Sequence, residues 1–158
     1  MISNLDRSQR LLVGHGALVL LVGFIVGFGF LFFLIGKVEV WPFGSYDYQL
    51  PGTYDAWRMA HMEGISNGLM MWILAGLMPT LSNYIKNTYR LAVGATIVGW
   101  TIIIASSLDP IFPEARGLAF RPESNLISDI AFFLFYIGIA VAFWVVITIA
   151  VKSLRPSA

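Results

Sequence analysis

Four long apolar stretches, at about 11–36, 59–84, 91–108 and 130–151, divide the chain, and the second holds the one formal charge among them, Glu63. Each approaches or exceeds the ~20 residues that carry a helix across a bilayer. Within lipid a segment must satisfy its own backbone polar groups, so all four are expected as helices. The β-branched run Ile147-Thr148-Ile149 does not turn the last one into a strand. The predicted fold class is all-α: a four-transmembrane-helix bundle forming one integral membrane domain over 1–158.

Between the spans the pattern changes character. The connector 37–55 is rich in Trp41, Tyr46, Tyr48 and Tyr54, with turn signals at Trp41-Pro42, Phe43-Gly44 and Pro51-Gly52. Amphipathic rings favour the headgroup region, so this connector is expected to lie on the membrane. A short turn near Lys86–Arg90 returns the chain, and three prolines in the connector after Leu108 forbid a continued helix. The last span is expected to start with Ser124 or Asn125 as cap and Asp129 in its first turn. Gly23 and Gly27 have the spacing that lets two helices approach closely, read here as packing within the chain.

Composition agrees with a membrane protein. Hydrophobic residues make up 58%, charged residues 12%, and the mean hydropathy is +0.77. A net charge of +1 without a basic run gives no footing for nucleic-acid binding. Cysteine is absent, which removes disulfides, thiolate ligands and a cysteine nucleophile. The first apolar run is far longer than the ~7–15 residues of a signal-peptide core, so it is read as a retained span. Lys and Arg near the spans favour cytoplasmic termini, with Arg7, Arg10, Lys86, Arg90, Lys152 and Arg155 on that side against Lys37, Arg58, Arg116 and Arg121 on the other.

The stretch 55–68, DAWRMAHMEGISNG, concentrates polar chemistry where burial is costly. His61 is its only strongly ligating side chain, with Arg58, Glu63 and Asn67 nearby. His15, between Gly14 and Gly16, enters from the opposite end of the bundle, too far to share one metal with His61, and reads as a hydrogen-bonded structural residue. His61 and Glu63, two apart, face different ways, so a multi-ligand zinc or iron site is disfavoured. His61 remains a single axial haem ligand, a ligand shared between subunits, or a structural residue. Arg58 either pairs with an anionic group such as a haem propionate or snorkels to the interface. His61 and Asn67 point about 120° apart around a helix, whereas Glu63 and Asn67 share a face. In a three-fold assembly one helix can therefore offer His61 to one neighbour and Asn67 to the other.

The order and spacing of Gly14-His15-Gly16, Pro51-Gly52, Trp57, Ala60-His61, Asn67-Gly68, Pro79, Arg116-Gly117-Leu118 with Phe120, and Asp129-Ile130 resemble the styrene oxide isomerase family over most of the chain. The resemblance implies a homotrimer in the inner (cytoplasmic) membrane with ferric haem b at each subunit interface, ligated by His61. The iron would serve as a Lewis acid that isomerises an aryl epoxide to an aldehyde, with Asn67 holding the epoxide oxygen. Two pocket positions depart from the family pattern. Ser107 stands where the family has a tyrosine, and Glu63 replaces a small residue beside the ligand. The alternative class is a haem b electron carrier or sensor using the same His61 and Arg58; a third is a haem-free bundle.

Overall fold

The structure, a computed structural model, describes residues 6–112 and 125–155. Helix α1 (Arg7–Ile35) begins earlier than hydropathy places it because Asp6 and Gln9 form a reciprocal capping box, each side chain accepting from the other's backbone N–H at 2.8 and 3.1 Å. It stops at Gly36, whose φ of 70° suits a residue without a Cβ. Helix α2 (Tyr54–Leu81) also starts early, drawn back by the Thr53 hydroxyl accepting from the Ala56 N–H, and this places Arg58 well inside the helix. It ends three residues before the apolar pattern does, where the Ser82 hydroxyl donates to the Pro79 carbonyl at 2.7 Å. Helices α3 (Thr88–Leu108) and α4 (Leu126–Ser153) are capped by Asn87 and Asn125, the latter with Asp129 in its first turn as expected. All four are long and apolar enough to cross a membrane. The Arg116-Gly117-Leu118 motif, Phe120 and the candidate cap Ser124 lie outside the described residues.

The connector contains an element that the pattern did not announce. Strands β1 (Val38–Val40) and β2 (Gly44–Tyr46) pair antiparallel, with Val38 opposite Tyr46 and Val40 opposite Gly44. Three-residue strands are too short for a period-two signal to register. The hairpin presents its rings outward, Trp41 at 91% and Phe43 at 78% exposure, in keeping with an interfacial connector. At its base the Lys37 ammonium meets the Glu39 carboxylate at 2.6 Å, which pushes the Lys37 pKa up.

Small residues set the packing. A Cβ on Gly23 would stand 2.9 Å from the Gly64 backbone, and one on Gly68 would stand 2.9 Å from the Gly16 carbonyl oxygen. Only glycine on both sides lets α1 and α2 close to this separation. The Gly23 and Gly27 pair thus serves packing within the chain, against Gly64 and the His61 ring. Leu12, Val19, Met71, Met78, Leu91 and Ile103 fill the interior, and α4 rests chiefly on α3, where Gly94 receives Trp144 and Val145.

Candidate functional site

The α1–α2 seam determines what His61 can do. Its Nδ1 lies 2.8 Å from the Gly23 carbonyl oxygen, and the ring packs under Gly27. A carbonyl can only accept, so Nδ1 carries the hydrogen, and the neutral ring then keeps its lone pair on Nε2. Among the described residues Nε2 has no hydrogen-bond partner, and the ring is only half-buried. A ring whose nitrogens were both taken up by backbone carbonyls would be structural. Here one is held and the other is open, the usual arrangement of a metal-bound imidazole and the carbonyl that orients it.

Arg58, one turn toward the amino end of α2, is exposed, with its guanidinium carbon 6.0 Å from the centre of the Tyr54 ring. The surrounding surface is apolar: Phe24, Ile25 and Phe28 of α1 and Met62 of α2 are all more than half exposed. Trp57 braces this end of α2 by donating from Nε1 to the Pro51 carbonyl at 2.8 Å and stacking on Phe33, which ties together two of the motif positions.

Glu63 and Asn67 occupy another face, as their spacing predicts. The Asn67 Nδ2 donates to the Glu63 carbonyl at 2.9 Å, leaving a second N–H and Oδ1 on the same amide. Among the described residues Asn67 is the one polar side chain lining an apolar cavity of about 250 Å³ between α2, α3 and α4, whose other walls include Met71, Leu74, Ala95, Val98 and Val145. The Glu63 carboxyl has one oxygen, Oε2, buried without a hydrogen-bond partner among the described residues, and it faces Ser106 and Asp109 of α3. Ser107 turns its hydroxyl back to the Ile103 carbonyl at 2.7 Å. His61 does not converge with Asn67 and Glu63 inside one chain. Among the described residues no three His, Cys, Asp or Glu side chains are placed to hold a metal together.

His15 is occupied quite differently. Its Nδ1 accepts from the Trp100 indole N–H at 3.0 Å across α1 and α3, so it is hydrogen-bonded within the bundle.

The styrene oxide isomerase family model matches residues 8–154. The chain belongs to the styrene oxide isomerase family. A styrene-oxide isomerase from Pseudomonas fluorescens is 29% identical over 130 residues, covering 82% of this chain and 76% of that protein.

As a styrene oxide isomerase family member the chain is an enzyme of the isomerase class, and its site can be compared with what sequence reasoning selected. Sequence reasoning missed Gly23, the carbonyl that orients His61. The small-residue spacing pointed to a close helix contact there, but the residue opposite was not legible. It also missed Ser106. The family resemblance selected its neighbour Ser107, and about 100° of helix rotation separates the two, so Ser106 is fully buried against α2 while Ser107 is not.

Proposed function

We propose that this chain rearranges an aryl epoxide to the corresponding arylacetaldehyde, using ferric haem b held through His61 at the interfaces of a homotrimer in the cytoplasmic membrane, with both termini in the cytoplasm. The observation that carries the reading is the 2.8 Å contact of His61 Nδ1 with the Gly23 carbonyl, which leaves Nε2 open in a chain of the styrene oxide isomerase family. The surroundings fit a porphyrin as well. Exposed apolar rings suit its faces, and the exposed Arg58 guanidinium suits a propionate. The exposed apolar patch also fits a neighbouring copy that would complete the pocket.

Haem b, when bound in the ferric state, supplies Lewis acidity toward an epoxide oxygen. The protein's own residues do the rest. Asn67, offered by the neighbouring copy, donates an amide N–H to that oxygen as negative charge gathers on it, an interaction stronger in the transition state than in the ground state. The benzylic carbon–oxygen bond breaks with its electron pair going to oxygen. A hydride then moves with its pair from the terminal carbon to the benzylic carbon, and the carbonyl forms without net gain or loss of a proton. Apolar walls around Asn67 keep water from capturing the cation as a diol. Ser107 and Glu63, where the family pattern has a tyrosine and a small residue, do not line the cavity at Asn67, so any effect of theirs on the epoxide accepted is exerted through the packing of α2 against α3.

An absorption spectrum of the purified protein, followed by aryl and alkyl epoxides assayed by aldehyde formation in the ferric and ferrous states, tests this. A Soret band with activity confined to the ferric state is expected. A haem-bearing protein that is inactive on every epoxide and has a reversible potential coupled to a quinone would instead identify an electron carrier.

A further inference from the structure

The end of the bundle at which α1 and α3 begin carries a second cavity, away from His61. It is an open groove of about 500 Å³ whose polar lining is Arg7, Arg10, His15 and Tyr89, with Leu11 and Leu18 as its apolar wall. Its floor is bare at Gly14, where an added Cβ would meet nothing within 4 Å. The side chains at the polar end all have a hydrogen to offer. The Arg7 guanidinium donates to the Tyr89 hydroxyl oxygen at 3.3 Å with its carbon 4.3 Å from the ring centre, so the hydroxyl's own hydrogen is left to donate. His15 accepts from Trp100 at Nδ1, so Nε2 bears the hydrogen. Among the described residues no carboxylate lines the groove. The nearest in sequence, Asp6, accepts from the Gln9 N–H as the α1 cap, and neither arginine is ion-paired among the described residues.

A groove of donors and cations at one end and leucines at the other matches a ligand that has only acceptors at its head and hydrocarbon below. We propose that it binds an anionic glycerophospholipid, with the phosphate at Arg7, Arg10 and Tyr89 and an acyl-ester carbonyl at His15 Nε2–H. Arg10 and His15 are ~7.5 Å apart along the helix, the scale of the step from a lipid phosphate down to its ester carbonyls. Leu18 continues the line into the hydrocarbon layer, and anionic headgroups are attracted to clustered arginines at the membrane surface. Free inorganic phosphate would satisfy the arginines and leave His15 and the leucine wall unused.

Thermal unfolding of the full chain in nanodiscs of phosphatidylcholine, with and without phosphatidylglycerol, tests the site. Phosphatidylglycerol is expected to raise Tm by roughly 3–5 °C, and the Arg7→Gln/Arg10→Gln double variant to lose that rise. Should the double variant fail to fold, Arg10→Gln, which leaves the Arg7–Tyr89 contact intact, is expected to lose most of it. Equal Tm values in the two bilayers, or an undiminished rise in the variants, would overturn the proposal. A rise reproduced by inorganic phosphate in phosphatidylcholine alone would overturn the lipid assignment in favour of a free anion.

Discussion

The two histidines of this chain differ in which ring nitrogen carries the hydrogen, and the difference separates the two ends of the bundle. His61 donates from Nδ1 to the Gly23 carbonyl, so its outer nitrogen holds a lone pair. His15 accepts at Nδ1 from Trp100, so its outer nitrogen holds a proton. The first turns an acceptor outward and the second a donor. Residue type alone does not make a ligand; the group on the far side of the ring does. Near His61 that group is a backbone carbonyl, exposed to the ring because glycines bring the two helices into contact.

The sharpest way to break this contrast is to remove each ring in turn. His61→Ala is expected to abolish the Soret band and lower isomerase activity by at least ~10³-fold, the loss of several kcal/mol of Lewis-acid stabilisation, while His15→Ala keeps the band. If both variants stay coloured, His61 is not the ligand. Asn67→Leu should lower kcat by ~10²-fold with an unchanged spectrum, because the amide serves the substrate oxygen and not the iron. A loss of haem in that variant would contradict the division of labour along α2. Gly23→Ala tests the orienting carbonyl: its Cβ would press on the Gly64 backbone, at a cost of about 1–3 kcal/mol in denaturant unfolding. Haem affinity is expected to fall ~10-fold as the Nδ1 contact loosens. The smallest effect is expected for Trp100→Phe, which removes the donor to His15. Stability should fall by about 1 kcal/mol, with spectrum and turnover unaltered.

Much of this was legible before any coordinates. The four spans follow from hydropathy, because lipid leaves helices as the only economical choice, and the common face of Glu63 and Asn67 follows from a separation of four. The helix starts were less legible. Asp6 and Thr53 are polar residues outside the apolar runs, and their caps lengthen α1 and α2 beyond what hydropathy marks. The His61 tautomer was not legible at all. It depends on Gly23 lying opposite Gly64, a register between two helices that no local pattern encodes. The same holds for Ser106, whose neighbour Ser107 has identical chemistry and a different environment.

The walls below Asn67 are interchangeable in a way that the α1–α2 seam is not. Leu74, Ala95 and Val98 are half-buried apolar side chains around open space, and exchanging one for another of similar size changes the cavity's contour, whereas Met71 and Val145 belong to the packed core. If the epoxide sits in that cavity as proposed, a lineage can drift toward new substrates on one side of α2, while the glycine contacts on the other side hold the imidazole to a fixed orientation.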